Sequence, residues 1–256
     1  MSMHDTPPTI RLAIVGADGR MGCRLVALAD QAPDLFVSSR VDQSSGALDA
    51  AVAELTDVVV DFSVQSQTMN TVTWCERYGV PLVLGTTGLD AADHEALDQL
   101  AVRVPTLVSP NFSVGVTALF QLVHEAARLL GHEWDLEVVE AHHRNKVDAP
   151  SGTARRMVDR LASARGWSPE AVQRSGRDGL VGVRPDEEIA VHAIRGGSVV
   201  GDHSVHYLGA DESLIISHSA RSRDIFAQGA LRAARWVARP ERAPGRYGMD
   251  DVLSHP

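Results

Sequence analysis

Thr9-Ile-Arg-Leu-Ala-Ile-Val-Gly-Ala-Asp-Gly-Arg-Met-Gly22 decides how the chain begins to fold. Residues 9–15 are mostly apolar, as in a strand buried on both faces. Gly16, Gly19 and Gly22 then space a turn as G-x-x-G-x-x-G, and Arg20 to Gln31 puts small apolar residues on one helical face. Glycine permits a tight turn, close approach of backbone to a phosphate, and close packing of helix on strand. Phosphate oxygens can then sit at the positive end of the helix. Strand, turn and helix together predict a dinucleotide site along Gly16-Ala17-Asp18-Gly19-Arg20-Met21-Gly22, with Arg20 adding a charged contact.

Further short apolar strands are predicted at Phe36 to Val41, Val58 to Phe62, Val80 to Leu84 and Thr106 to Val108. Helical stretches near 66–77 and 91–102 separate the later ones. This alternation implies an α/β fold, a Rossmann-like doubly wound parallel sheet with ligands at the C-terminal ends of the strands. Asp42 falls at the end of the second strand, where a carboxylate accepts hydrogen bonds from ribose hydroxyls and repels a 2′-phosphate. Gln43, Ser44 and Ser45 follow without a cation, and strand alternation turns Arg40 elsewhere. Use of NADH is therefore expected; the residues leave its preference over NADPH open.

The pattern changes after residue 113. Val116, Leu119, Phe120 and Val123 give Val114 to Leu130 a helical period. Leu136 to Val139 reads as a strand and Gly152 to Ala164 as a helix. Glu188 to Ser219 reads as an antiparallel meander punctuated by Gly196-Gly197 and Gly209-Ala-Asp-Glu212. A last helix is expected over Asp224 to Ala238, followed by a Pro/Gly-rich tail from Pro240 to Gly248. The expected organisation is a dinucleotide domain, 1–113, completed by 223–256, and an inserted α+β domain, 114–222, with a mixed or antiparallel sheet.

The insertion carries Glu140-Ala-His-His-Arg-Asn-Lys-Val-Asp-Ala-Pro-Ser-Gly-Thr-Ala154. In an extended segment His142 and His143 project to opposite faces, which suits separate tasks better than a shared metal. Imidazole is the side chain best poised to give a proton near neutral pH. Lys146 adds a fixed positive charge, or a second proton source if its surroundings favour release. Pro150 fixes the chain before the helix, and Ser151, Gly152 and Thr153 offer hydroxyls and N–H groups at its start. A substrate carboxylate is held well there. Asp148 reads as a turn or capping residue.

A formal charge of −9 argues against nucleic acid as a partner, and no apolar run approaches the roughly 18 residues of a membrane span. Anionic ligands must therefore meet local positive charge, which Arg144, Lys146, Arg155 and Arg156 supply. Cys23 and Cys75 have neither metal-ligand nor redox-pair spacing and are expected to be buried, reduced thiols of a cytoplasmic protein. No metal site is expected. Residues alone thus point to a nicotinamide-dependent reductase of a small, multiply charged substrate. Another Rossmann-type imine or amino-acid dehydrogenase, or a non-catalytic NAD-sensing regulator, would share the glycine turn, but neither needs the His-His-x-x-Lys block.

That block resembles the signature of the 4-hydroxy-tetrahydrodipicolinate reductase (dihydrodipicolinate reductase) family of lysine biosynthesis. The likeness continues through the glycine turn, Asp61-Phe-Ser63, Gly85-Thr-Thr-Gly88, Ser109-Pro-Asn-Phe-Ser-Val-Gly-Val116 and Gly196 to Gly201. The resemblance implies that Gly85, Thr86 and Thr87 approach the nicotinamide ribose. Asn111 and Phe112 would lie beside the nicotinamide, in a segment opened by Ser109 and Pro110. It implies His142 as proton donor, Lys146 as a participant in chemistry, and His143, Lys146, Ser151, Gly152 and Thr153 as holders of a dicarboxylate. It further implies a homotetramer built through the insertion's sheet, with His192, His203, His206 and His218 structural or interfacial. Gln43 stands where the family often carries Arg, and Ser109-Pro110 where many relatives carry alanine.

Overall fold

The computed structural model describes residues 9–42 and 46–254, so Gln43, Ser44 and Ser45 lie outside the described residues. In chain order the elements begin with β1 (Ile10–Val15), α1 (Arg20–Ala29), β2 (Leu35–Val41), α2 (Ala50–Ala53) and β3 (Val58–Asp61). They continue with α3 (Gln65–Tyr78), β4 (Leu82–Leu84), α4 (Ala91–Ala101), β5 (Pro105–Val108), α5 (Val114–Leu130), β6 (Asp135–His142) and α6 (Gly152–Arg165). After these come α7 (Pro169–Val172), β7 (Gln173–Ser175), β8 (Ile189–Arg195), β9 (Gly201–Leu208) and β10 (Ser213–Ala220). The chain closes with α8 (Asp224–Val237), β11 (Gly245–Tyr247) and α9 (Met249–Ser254). Two compact units result: one runs to Val114 and resumes at Asp224, and the other is Gly115–Arg223.

The first unit holds a six-stranded parallel sheet in the order β11-β5-β4-β3-β1-β2. Successive residues of its central strands enter opposite cores. Leu12, Ile14, Val58 and Val60 pack with α1 and α8, while Ala13, Val15 and Val59 pack with α3 and α4. Burial on both faces is why these strands read as continuous apolar runs. Strand order reverses at β1, so the crevice expected for a ligand opens where the glycine turn leaves it. Paired guanidinium–carboxylate bonds tie α8 into this unit, Arg24 to Asp224 and Arg235 to Asp34. The stretch read as a Pro/Gly-rich tail includes an edge strand: β11 pairs with β5, Gly245 against Pro105. Three residues with one aromatic carry no periodicity that would reveal it. Cys75 is buried, but Cys23 is exposed on the outer side of α1, contrary to expectation.

The second unit holds a mixed sheet in the order β10-β9-β6-β8-β7. The expected antiparallel meander is correct for β9 and β10 and wrong for β8, which runs parallel to β6. β6 lies between β8 and β9, pairing with each. Alternating burial reports which face a residue occupies, not the direction of its neighbour, so the pattern could not separate these arrangements. One face carries Leu136, Val138, Ile189, Val191, Val205 and Tyr207 against apolar residues of α5 and α6. β6 also extends beyond its expected end at Val139 to His142. Leu136, Val138, Glu140 and His142 therefore share the covered face.

Candidate active site

In the first unit, Gly16 adopts φ +79°, and a methyl group there would lie 2.8 Å from the Phe62 carbonyl oxygen. A Cβ on Gly22 would fall 2.0 Å from the Gly16 oxygen, so α1 begins in contact with the turn. The Gly16 and Ala17 N–H groups donate to Val41 O at 2.8 and 3.2 Å, and the Asp18 N–H donates to Asp42 Oδ2 at 3.0 Å. Gly19 is the N-cap and supplies no capping side chain, so the turn presents helix N–H groups as an anion site does. Asp18, Gly19 and Arg20 are exposed, Met21 and Asp42 half-buried. A cavity of about 1230 Å³ borders the turn and Asp42 and extends along α3 past Asn70 and Arg77. Its volume, beside the open start of α1, fits a dinucleotide.

Asp61, at the end of β3, carries no role that the sequence alone reveals. It is fully buried and accepts four hydrogen bonds. Ser63 donates its N–H at 2.8 Å and its hydroxyl at 2.6 Å, Thr71 its hydroxyl at 2.7 Å, and Thr86 its hydroxyl at 3.2 Å. The Gly85 N–H donates to the Asp61 carbonyl at 2.8 Å. The Thr86 side chain is thus turned inward, while Thr87 is exposed. A Cβ on Gly85 would meet the Phe62 ring at 2.3 Å. Phe112 is buried in the core beside Phe62, ring centroids 5.2 Å apart, so it offers a ligand main chain rather than ring. The Ser109 hydroxyl donates to Asn111 O at 2.7 Å, and Asn111 Oδ1 accepts from the Ser113 N–H at 2.8 Å. Ser109 therefore shapes the turn; exposed Pro110 lies between.

In the second unit, three strands place His142, Glu140, Arg195 and His203 on one face. Register sets Arg195 beside His142 and His203 opposite Glu140. Glu140 Oε2 lies 2.6 Å from His142 Nδ1, and Arg195 grips both carboxylate oxygens at 2.8 and 2.7 Å. Burial opposes ionisation of Glu140, yet Arg195, His142 and the Ser151 N–H outweigh it and hold the carboxyl below its ordinary range. His203 stands edge-on to His142 with centroids 5.1 Å apart, and its Nε2 is 3.3 Å from Ser151 Oγ. Burial, then the neighbouring His142, pushes His203 down to about 4. The β8–β9 turn crosses the end of β6: the Gly196 N–H donates to His142 O and the Arg144 N–H to Gly197 O.

Ser151 caps α6 by accepting from the Ala154 N–H at 3.2 Å. Being buried and also bonded to His203, its hydroxyl is committed, whereas Gly152 is exposed and Thr153 half-exposed at the first turn. His143 is the first residue beyond β6 and is half-buried. Lys146 Nζ pairs with Asp148 Oδ1 at 2.7 Å, and that pairing holds the Asp148 carboxyl below its usual range. Asp148 is thus more than a turn residue. Arg144 and Arg155 are exposed, while Arg156 covers the Phe120 ring at 5.1 Å. No local pattern marks Arg195 or His203 for this site, because strand register brings them there; the nearest signal is the adjoining Gly196 to Gly201 segment.

An open parallel sheet with a glycine turn at its switch point, and a second unit centred on a carboxylate-bound imidazole, define an oxidoreductase of the dinucleotide-binding class. Residues 10–112 match the sequence profile of "Dihydrodipicolinate reductase, N-terminus", and residues 115–253 that of "Dihydrodipicolinate reductase, C-terminus". The 4-hydroxy-tetrahydrodipicolinate reductase of Syntrophotalea carbinolica is 38% identical over 267 residues, covering 95% of this chain and 98% of that protein. That of Myxococcus xanthus is 43% identical over 270 residues, covering 95% and 97%. In fold the chain is similar to a dipicolinate-bound dihydrodipicolinate reductase from Paenisporosarcina sp. TG-14, with a TM-score of 0.81 at 23% identity, covering 96% of this chain and 100% of that one. The chain belongs to the dihydrodipicolinate reductase family.

Proposed function

We propose that the protein reduces 4-hydroxy-tetrahydrodipicolinate to tetrahydrodipicolinate, with release of water, using NADH or NADPH. What supports this most is family membership along almost the whole chain together with an intact His142-His143-x-x-Lys146 block. The first unit takes the dinucleotide and the second the dicarboxylate. Helix N–H groups at Arg20 and Met21 receive the pyrophosphate, Asp42 the adenosine ribose, and main chain at Gly85, Thr86 and Asn111 the nicotinamide half. When bound, the reduced nicotinamide supplies a hydride to the conjugated imine left by dehydration. His142 then gives its proton to the adjacent ring carbon of the resulting enamine. Lys146, His143 and the first turn of α6 at Gly152 and Thr153 hold the carboxylates, so that reacting atoms meet in register.

The subunits assemble as a homotetramer through the second unit's sheet, whose uncovered face exposes Ile194, Leu208 and Ile215. The protein works in the cytoplasm, where Cys23 and Cys75, both free, stay reduced. No helix among the described residues is long and apolar enough to cross a membrane. The deciding assay follows nicotinamide absorbance with substrate generated from pyruvate and aspartate semialdehyde. Oxidation of NADH is expected; no oxidation of either NADH or NADPH overturns the reading. His142→Gln should lower turnover by roughly 10²–10⁴-fold.

A further inference from the structure

Glu140 is fully buried at the middle of the second unit's polar cluster, yet the proposed chemistry uses it neither as acid nor as base. Each carboxylate oxygen receives two donors. Oε2 has His142 Nδ1 at 2.6 Å and Arg195 Nη1 at 2.8 Å. Oε1 has Arg195 Nη2 at 2.7 Å and the Ser151 N–H at 3.0 Å. An ionised carboxylate only accepts, so Nδ1 of His142 must carry hydrogen. Nε2 is then the nitrogen that gains and gives a proton. It faces Gly201, where a Cβ would already approach to 3.1 Å, so that side of the ring is kept clear by a glycine.

We infer that Glu140 is a positioning residue that fixes the proton donor and the anion cradle to one rigid carboxylate. Oε2 sets the tautomer and ring plane of His142; Oε1 sets Ser151, the N-cap, and with it the first turn of α6. The inference rests on the reading of His142 as proton donor. Arg195 holds the carboxylate in plane through a bidentate pair and is itself fixed by the carbonyls of Asp148 and Ile194, each at 2.7 Å. A purely structural ion pair needs only Glu140 and Arg195, and buried pairs of that kind are often replaceable by apolar residues. Here the same two oxygens also hold the two elements whose separation governs proton delivery. His203 completes the surroundings from β9, and His218, its partner in register on β10, lies beyond it.

Nitrogen-15 NMR of the full chain, labelled at histidine and without substrate, tests the tautomer directly. The neutral His142 ring should carry its hydrogen on Nδ1; an Nε2–H tautomer in the unsubstituted protein overturns the inference. Glu140→Gln should lose that preference and lower kcat about 10²-fold, with NADH affinity unchanged. Because the single change leaves Arg195 buried without its anion, the double variant Glu140→Gln/Arg195→Met is measured beside it. Continued loss of kcat in the double variant supports positioning; recovery to within about threefold of the unsubstituted enzyme reduces Glu140 to an ion-pair partner and overturns it. If the unsubstituted protein oxidises neither nicotinamide, the functional reading fails, while the tautomer result still decides the geometry.

Discussion

The ammonium of Lys146 lies 2.7 Å from Asp148 Oδ1, so the cation offered to an anionic ligand already has a partner two residues away. Both side chains are partly exposed, and such a pair contributes only about 0.2–1 kcal/mol. An incoming carboxylate must displace or share Asp148. Asp148→Asn should therefore tighten binding of a small dicarboxylate by up to about fivefold, the equivalent of that energy. Lys146→Gln should weaken it by at least tenfold, as expected when a charge-assisted hydrogen bond of about 1.5–3 kcal/mol is lost. Calorimetric titration reads both. Weaker binding in Asp148→Asn would show that the carboxylate organises the loop rather than competing with the ligand.

Two glycines at the starts of α1 and α6 should respond oppositely to alanine. At Gly22 a Cβ meets backbone at 2.0 Å, and backbone cannot rotate away. Gly22→Ala should cost about 1–3 kcal/mol of stability and abolish measurable NADH binding by fluorescence titration. At Gly152 nothing lies within 4 Å of the added carbon. Gly152→Ala should fold with unchanged thermal midpoint, while its methyl obstructs the cradle and raises KM for the imine substrate. Unaltered KM would move the carboxylate site away from the first turn of α6.

How much of this was legible in the sequence follows from which interactions are local. The glycine turn, both-face burial of β1 and β3, and the His142-to-Thr153 block lie within single stretches, so composition and spacing expose them. Arg195 reaches Glu140 across 55 residues, and His203 reaches Ser151 across 52. Those meetings depend on sheet register, which depends in turn on β6 lying between β8 and β9, an order that alternating burial does not specify. Asp61 stands in the sequence only as part of a short motif, because its four donors come from a following turn, a helix and the loop after the next strand. Cys23 is exposed rather than buried because its position on α1 falls outside the stripe of Gly22, Leu25, Val26 and Ala29.

His203 makes stability depend on pH in a defined window. Its folded pKa is pushed down to about 4 from 6.5, by burial first and by His142 second. Above pH 6.5 neither folded nor unfolded chain holds this proton, and the contribution to stability is complete. As pH falls from 6.5 toward 4 the unfolded chain takes up a proton that the folded one refuses, and stability is lost. The full loss is on the order of 3 kcal/mol. Urea unfolding at pH 7.5 and 4.5 should show a larger drop for the unsubstituted protein than for His203→Gln. Equal drops would place the acid sensitivity elsewhere.

Asp61 gathers Ser63, Thr71 and Thr86 around one carboxylate, and all four of its hydrogen bonds come from neutral donors. Asparagine has nearly the same shape but turns one acceptor into a donor, so Asp61→Asn sets an NH2 against a hydroxyl or N–H already pointing inward. Each buried group left unsatisfied costs about 1–3 kcal/mol. The lower stability should appear together with weaker nucleotide binding, because Ser63 borders the cofactor cavity and Thr86 is proposed to meet the nicotinamide ribose through its main chain. Thr71→Val, which removes one donor from the α3 side alone, should lose stability with a smaller fall in NADH affinity than Asp61→Asn, because Ser63 and Thr86 keep their partner. Thermal melts and NADH titration on the two variants separate these effects. If Asp61→Asn binds NADH as tightly as the unsubstituted protein, the carboxylate supports the core without shaping the nucleotide site.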